Sequence, residues 1–217
     1  MKIVIGFDGA VFNTHKLIQE LLDNLKKAGH KSEEFKEIYK KAKTKRSNFD
    51  QKEIIDLLIK FDLNNKMEVT TEITSLLEDS DDFIYSDFYK FVNNFRKKDL
   101  ILFSSGTISF CKEKIEKLKI NNFFNKIYIT DNRMKKLELI YRKYSTERLF
   151  FIDDRASEID QAERLLTGIV TIKIERSRGV CSNLKSERTN FVIKNLSQAE
   201  KIINELTSKD AYAFSLK

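Results

Sequence analysis

Residues 2–14 read KIVIGFDGAVFNT. Apolar residues at positions 3–5 precede a short turn that contains two glycines and the carboxylate of Asp8. A continuous apolar run that stops at a glycine and a charged residue is typical of a buried strand in a parallel sheet. Gly6 is unusual in such a strand, because glycine weakens a strand interior. We therefore expect a buried first strand with a carboxylate just beyond its end.

Four more segments have this short apolar character, and helical patterns separate them. We predict strands at 2–7, 100–104, 126–130, 148–152 and 169–174. We predict helices in the second half at 107–118, 135–144, 156–166 and 197–206, with a loose tail at 207–217. Alternation of strand and helix is typical of α/β proteins with a parallel sheet. The predicted fold class is α/β, with a parallel sheet of about five strands flanked by helices.

The interval between the first two strands has helical patterns and no clear strand. We predict helices near 14–28, 32–44, 50–60, 67–79 and 84–98. This pattern indicates a helical module at 14–98, inserted into an α/β core formed by 1–13 and 99–217. The last of these helices could instead belong to the core.

The amino-acid composition limits the classes of protein to which this chain can belong. The chain has 217 residues, 41% of them hydrophobic and 34% charged, which fits a soluble globular protein. No window contains the ~18 uncharged apolar residues that span a membrane, and the first apolar run lacks a signal-peptide pattern. Cys111 and Cys181 are too few for a disulfide framework and are expected to be buried free thiols. We expect a cytoplasmic protein with no membrane partner, and composition does not indicate its oligomeric state.

The net charge of +7 raises the question of a nucleic-acid partner. The densest basic run, residues 40–46, has five basic residues in seven. Such a run is either a solvated helix end or a surface for an acidic partner. No aromatic residue interleaves with it, so we favour the solvated helix end and keep nucleic-acid binding through a basic cap as the alternative.

Polar residues stand at the ends of two further predicted strands. Ser104 and Ser105 end the second strand and open a helix, where hydroxyls and backbone N–H groups suit a phosphate oxygen. Asp153 and Asp154 end the fourth strand, and Glu158 follows shortly after. Adjacent carboxylates are costly unless a cation lies between them, and Mg²⁺ is the usual solution.

Lys135 and Lys136 begin a helix between these two strands, and a lysine there could offer its charge to a phosphate. Simpler roles stay open for several of these residues. Asp8 could cap a turn, the two serines could cap a helix, and Lys136 could be an ordinary exposed lysine. The paired aspartates are the hardest to explain without a site.

The order of these motifs resembles that of the haloacid dehalogenase (HAD) phosphohydrolase superfamily. The first motif of that family is an apolar strand followed by Asp-x-Asp-Gly, and Asp8 with Gly9 matches its second half. The nucleophilic aspartate of the motif falls on Gly6. The other matches are Ser104 for the second motif, Lys136 or Lys135 for the third, Asp153, Asp154 and Glu158 for the fourth, and the inserted helices for a C1-type cap.

The resemblance implies roles for these residues. The first aspartate of the family forms an aspartyl-phosphate, and the second, here Asp8, serves as acid and base. The resemblance further implies Mg²⁺ held by the backbone of Asp8 and by Asp154, with Asp153 or Glu158 in support. It implies phosphate contacts by Ser104, Ser105 and Lys136. Nothing carries over to Gly6, which has no side chain.

A second register of the first motif is open. Asp8 would then be the nucleophile and Ala10 would stand at the second position, as in some relatives. Val11 and Phe12 would replace the residues that close the motif, so we favour the first register, which keeps Gly9. Either register lacks one carboxylate. His15 lies nearby, but we disfavour it as a substitute nucleophile because it sits at the start of the predicted cap.

These observations predict a HAD-like phosphohydrolase relative that acts on or binds a small phosphorylated metabolite with Mg²⁺. Loss of a covalent nucleophile removes most of an enzyme's rate, so we expect impaired catalysis. A non-catalytic protein that binds a phosphorylated ligand or a protein partner is the alternative, and a nucleic-acid-associated protein is a weaker one.

Overall fold

The computed structural model describes residues 1–27, 71, 74–78, 80–106, 108–177, 179, 181 and 184–215. The helices predicted at 32–44 and 50–60 lie outside these residues, as do most of the helix predicted at 67–79 and the basic run. The division into core and cap therefore stays a prediction, and so does the choice between a solvated helix end and a nucleic-acid surface.

A sheet of six parallel strands forms the centre of the described structure. The strands are β1 (Lys2–Gly6), β2 (Leu100–Ser105), β3 (Lys126–Thr130), β4 (Leu149–Asp153), β5 (Val170–Ile174) and β6 (Phe191–Ile193). Their spatial order is β3-β2-β1-β4-β5-β6, so β1 lies between β2 and β4. The prediction of an α/β fold with a parallel sheet is confirmed. The sixth strand was missed because it has only three residues and only Ile193 in it is buried.

In the part of the chain that the structure describes, six α-helices with defined bounds accompany the sheet. They are α1 (Thr14–Lys27), α2 (Asp87–Asn93), α3 (Ile108–Lys117), α4 (Arg133–Lys143), α5 (Ala156–Leu165) and α6 (Leu196–Ser215). Short 3₁₀ turns occupy Ser80–Phe83, Lys97–Asp99 and Ile120–Phe123. Among the described residues, no helix is long and apolar enough to cross a membrane.

Two predicted helical boundaries differ strongly from the observed ones. The loose tail predicted at 207–217 is helical as far as Ser215, because no proline or glycine interrupts it and the Thr207 hydroxyl donates back to the Ile203 carbonyl at 2.8 Å. The helix predicted at 84–98 is confined to α2, after which the chain turns through Lys97–Asp99 into β2.

Alternation along the strands divides the core into two layers. Ile3 and Ile5 of β1 point to one face of the sheet, where they join a cluster with residues of α1, α2, α3 and α6. Val4 points to the opposite face, where Leu137 of α4 and Ile159 of α5 pack against the sheet. Successive strand residues face opposite sides, so both faces are buried. The carboxyl edge of the sheet is then the natural place for a ligand.

Candidate functional site at the carboxyl edge of the sheet

The turn after β1 places Asp8 beyond the end of the central strand. The Phe7 N–H donates to the Phe103 carbonyl at 2.9 Å, so pairing with β2 continues past Gly6. The Val11 N–H then donates back to the Phe7 carbonyl at 3.0 Å and closes the turn. Gly9 has a φ of 78°, and a Cβ there would lie within 3.0 Å of the Asp154 carboxylate. A glycine is therefore required at this position by backbone conformation and by space.

Gly6 is the last residue of β1 and faces a carboxylate from the neighbouring strand. A Cβ on Gly6 would lie 3.1 Å from Asp153 Cγ and closer than 3.0 Å to Asp153 Oδ2. It would also lie 3.5 Å from the Ile152 carbonyl oxygen. The Asp153 side chain thus occupies the space that a side chain on Gly6 would need.

Asp8 is paired with a lysine that the sequence did not single out. The Lys114 ammonium donates to Asp8 Oδ1 at 2.6 Å, and the Thr14 hydroxyl donates to the same oxygen at 3.4 Å. The ammonium also lies 5.0 Å from the Phe7 ring centroid and 4.9 Å from that of Phe12. The lysine side chain is fully buried, whereas Asp8 is 17% exposed. One oxygen of Asp8 is therefore held by an internal cation.

A signal for Lys114 was present in the helical pattern of α3. The apolar stripe of this helix includes Cys111, Ile115 and Leu118, which are all buried. Lys114 lies three residues after the first and four before the last, so it shares their face. A lysine on the apolar face of a helix needs an anionic partner inside the protein, and Asp8 is that partner.

Asp153 is held from two sides. Arg133 Nη2 donates to Asp153 Oδ2, and the Arg155 backbone N–H donates to Asp153 Oδ1 at 3.0 Å. Arg133 Nε also lies 3.6 Å from Glu158 Oε2, and its guanidinium lies 4.6 Å from the Phe103 ring centroid. Arg133 was missed because the helix was predicted to begin at residue 135, whereas α4 begins with the arginine itself.

The structure does not bring the two predicted lysines to these acids. Lys136 Nζ lies 5.4 Å from the Tyr128 ring centroid. Lys135 is exposed, and its backbone N–H donates to the Asn132 side chain, which caps α4. In the described part of the chain, neither lysine forms a hydrogen bond or an ion pair with Asp8 or Asp153. Arg133 is the residue of α4 that contacts Asp153, and the phosphate-binding role of Lys136 stays a prediction.

Asp154 is buried next to Asp153. Burial and, after it, the Asp153 charge raise the pKa of Asp154 to about 7, against the opposing charges of Arg155 and Arg133. Burial likewise raises the pKa of the Glu158 carboxyl. Two of the predicted acids therefore lie in surroundings that disfavour their charged forms.

The two predicted serines lie at the same edge of the sheet, and their hydroxyls differ in hydrogen bonding. Arg155 Nη1 donates to the Ser105 hydroxyl at 3.2 Å. The Ser104 hydroxyl is fully buried, and no hydrogen-bond partner for it exists among the described residues. Buried hydroxyls are nearly always paired in folded proteins, so an unpaired one at a ligand-binding edge is a candidate contact for a bound group.

Comparison with solved structures decides the fold. A haloacid dehalogenase-like hydrolase from Burkholderia xenovorans superposes with a TM-score of 0.73 at 12% identity, covering 94% of this chain and 96% of that one. The chain has a HAD-like fold. No family model matches its sequence, and no curated protein matches it either.

Two further structures share the HAD-like fold. YfnB from Bacillus subtilis, a HAD-hydrolase described as bound to magnesium, superposes with a TM-score of 0.65 at 12% identity over 94% of this chain and 98% of that one. A protein from Thermotoga maritima described as a β-phosphoglucomutase gives 0.67 at 13% identity over 94% and 99%. At such identities the likeness is one of fold, and each activity belongs to the protein that carries the name.

The acids at this edge do not fit Mg²⁺ as they stand. Asp8 and Asp153 each accept from a buried cation, and Glu158 lies 3.6 Å from the Arg133 guanidinium. Gly6 contributes no side-chain ligand. Within residues 1–27, 71, 74–78, 80–106 and the described positions from 108 to 215, no three acidic, histidine or cysteine side chains are grouped to hold a metal ion. Three of the four acids at this edge are thus already in contact with an internal cation.

Proposed function

We propose that this chain binds a small phosphorylated metabolite at the carboxyl edge of its HAD-like sheet and hydrolyses it little or not at all. One observation carries the proposal. At the end of the central strand, Gly6 stands beside Asp153, whose carboxylate fills the space where an attacking side chain would project. Loss of a covalent nucleophile removes several orders of magnitude in rate, because the remaining groups only bind and polarise.

The phosphate-binding half of the proposal rests on groups at the same edge. The unpaired hydroxyl of Ser104 and the guanidinium of Arg155, which reaches Ser105, are both suited to a phosphate oxygen. Ser104 lies where β2 passes into α3, and Arg155 immediately precedes α5, and backbone N–H groups at a helix start favour anions. The solved structures that share this fold are described as hydrolases and as a phosphoglucomutase, which supports a phosphorylated ligand.

Asp8 keeps the position of the acid and base in this proposal. Its Oδ1 is held by Lys114 at 2.6 Å, and the side chain is 17% exposed. Such a carboxylate orients bound water or the leaving oxygen of a ligand, but it makes no covalent intermediate in the favoured register. We also propose a cytoplasmic location, because Cys111 and Cys181 are both buried and form no disulfide, as is usual in a reducing compartment.

Two measurements on the purified protein test the proposal. The first is hydrolysis of p-nitrophenyl phosphate by the wild type and by Gly6→Asp, with and without Mg²⁺. We expect no turnover by the wild type, and turnover near ordinary enzyme rates would contradict the proposal.

The second measurement is calorimetric binding of inorganic phosphate. We expect binding by the wild type and at least about tenfold weaker binding by Ser104→Ala, since one good hydrogen bond to a charged group is worth about 1.5–3 kcal/mol. Ser157→Ala, an exposed serine of α5, is the matched control and should bind as the wild type does. Absence of phosphate binding by the wild type would refute the binding half of the proposal.

A further inference from the structure

We infer that the acidic edge of this protein has no divalent-metal site, because two of the chain's own side chains, Arg133 and Lys114, occupy the place of the metal charge. The inference rests on the proposed function in one respect only, which is that both place the ligand site at this edge of the sheet. Its evidence is the pairing of Asp8, Asp153 and Glu158 with these cations, and its test is metal binding rather than turnover.

Arg133 is the first of the two internal cations. Its guanidinium is 6% exposed and lies between two carboxylates from different elements, Asp153 at the end of β4 and Glu158 in α5. The ring of Phe103 lies 4.6 Å from the guanidinium carbon and keeps water from that side. A guanidinium held by two carboxylates and an aromatic ring is an enclosed charge, so a metal ion could reach these oxygens only by displacing it.

Lys114 is the second internal cation. Its ammonium, with no exposed surface, lies 2.6 Å from Asp8 Oδ1 and above the rings of Phe7 and Phe12. It therefore pairs with Asp8, whereas Arg133 pairs with Asp153. The two cations arrive from different helices, α3 and α4, and each neutralises the acid of a different strand end.

The charge balance of the edge leaves no room for a divalent ion. Four carboxylates lie there, Asp8, Asp153, Asp154 and Glu158, together with the buried cations of Lys114, Arg133 and Arg155. One negative charge remains formally uncompensated, so adding Mg²⁺ would leave the buried cluster with net positive charge. Mg²⁺ further demands close octahedral contacts with oxygen atoms, and one oxygen each of Asp8 and Asp153 already accepts from an ammonium or guanidinium group.

Gly6 connects this arrangement to the missing nucleophile. Because Gly6 has no Cβ, the Asp153 carboxylate can lie against β1 while Arg133 and the Arg155 N–H hold its two oxygens. Any side chain at position 6 would push this carboxylate away from its partners. Loss of the side chain at position 6 and formation of the internal ion pair are therefore one coupled feature of the site.

The test is direct metal binding to the full chain. Mg²⁺ is titrated by calorimetry and Mn²⁺, its spectroscopic substitute, by electron paramagnetic resonance, with the melting temperature recorded in EDTA and in excess Mg²⁺. For the wild type we expect neither stoichiometric binding nor a rise in melting temperature. One equivalent of bound Mg²⁺ that disappears in Asp154→Asn would overturn the inference.

The variant Arg133→Met tests whether removal of the guanidinium creates a metal site. Removal of the guanidinium frees Asp153 and Glu158, so we expect this variant to bind Mn²⁺ and to melt roughly 5–10 °C higher in Mg²⁺ at about a hundredfold excess over Kd. Arg142→Met is the matched control, since Arg142 lies on the same helix in an exposed pair with Glu138 and should change nothing. An Arg133→Met variant that folds and ignores the metal would overturn the inference. If it fails to fold even in Mg²⁺, the wild-type titration still decides.

Phosphate binding separates this inference from the proposed function. Inorganic phosphate is titrated into the wild type in EDTA and again in Mg²⁺, and we expect equal affinities. Binding that appears only with Mg²⁺ would overturn the metal-free inference and leave the proposed ligand class standing. Binding in neither buffer would overturn the proposed function, and the metal titration alone would then judge the inference.

Discussion

A methyl group at position 6 should destabilise this protein, although glycine-to-alanine changes in extended segments usually stabilise. Gly6 does not have a positive φ, so its backbone conformation admits alanine. The obstacle is Asp153, whose Oδ2 would lie within 3.0 Å of the new Cβ and would have to retreat to an ordinary contact of 3.4 Å or more. The outcome therefore depends on how firmly that carboxylate is held.

The contacts of Asp153 set the magnitude. Its Oδ2 accepts from the Arg133 guanidinium and its Oδ1 accepts from the Arg155 N–H at 3.0 Å, so neither oxygen can move without weakening a charge-assisted hydrogen bond. Such bonds contribute about 1.5–3 kcal/mol each. Replacing glycine restricts the unfolded chain and returns about 0.4–1 kcal/mol. We expect Gly6→Ala to lower the free energy of unfolding by about 1–2 kcal/mol, which is a fall of roughly 2–8 °C in melting temperature.

A double-mutant cycle isolates the cause. Urea denaturation is measured for the wild type, Gly6→Ala, Asp153→Ala and the double variant, with the m-value checked for two-state behaviour. In the Asp153→Ala background the new methyl has room, so Gly6→Ala should be neutral or slightly stabilising there. The expected coupling between positions 6 and 153 is about 1–3 kcal/mol.

Two results would refute this reasoning. Gly6→Ala as stable as the wild type would mean that the carboxylate moves freely and that its partners hold it weakly. An equal loss of stability in both backgrounds would mean that the cost arises from the β1 backbone or from the Ile152 carbonyl, which lies 3.5 Å from the same Cβ position.

Three further changes test other parts of the site. Gly9→Ala should lower the free energy of unfolding by at least about 2 kcal/mol, because both the φ of 78° and the nearby Asp154 carboxylate oppose a Cβ at this position. A loss of less than about 0.5 kcal/mol in urea denaturation would contradict this prediction. Lys114→Met should lower the free energy of unfolding by about 1–3 kcal/mol, because Asp8 loses its cation. Lys112→Met, at an exposed position on the same helix, is the control and should lower it by less than about 0.5 kcal/mol. Equal losses for the two variants in urea denaturation would exclude a specific pair. Burial raises the pKa of Asp154 to about 7 from an ordinary 3.8, so the folded state holds the proton of this carboxyl more tightly than the unfolded state does. The stability that this proton contributes is complete at low pH and declines as the pH rises towards 7. Between about pH 4 and 7 the free energy of unfolding in EDTA should therefore fall by up to ~1.4 kcal/mol per pH unit relative to Asp154→Asn, and parallel pH profiles for the two proteins would contradict the shift.

The fold was predictable because its signals are local. A buried parallel strand needs a short apolar run, and β1, β2, β3, β4 and β5 each carry one that ends in polar residues or turns. β6 escaped prediction because three residues with one buried side chain do not differ from a loop in sequence. The length of α6 was misjudged because the polar residues after Leu206 look like a tail, although nothing in them stops a helix.

The candidate site, like the fold, has parts that the sequence predicts and parts that it does not. The positions of Asp8, Ser104 and Asp153 at the sheet edge follow from the sequence, since the carboxyl ends of parallel strands meet there. The partner of Asp8 could not be predicted by spacing, because Lys114 lies 106 residues away and reaches it only once α3 packs on the sheet. The contact of Arg133 with Asp153 depends on where α4 begins and on which of its faces meets β4.

The sequence by itself determined that position 6 has no side chain, which leaves a gap at the end of the first strand, and that acids stand near the ends of the first and fourth strands. Only the tertiary structure decided what fills the gap, which is the Asp153 side chain with the Arg133 guanidinium behind it. The physical reason is that a side chain's absence is a local property of the chain, readable residue by residue. The pairing of buried charges depends on three-dimensional distance, because Coulomb energy and desolvation are set by which groups the folded core brings together.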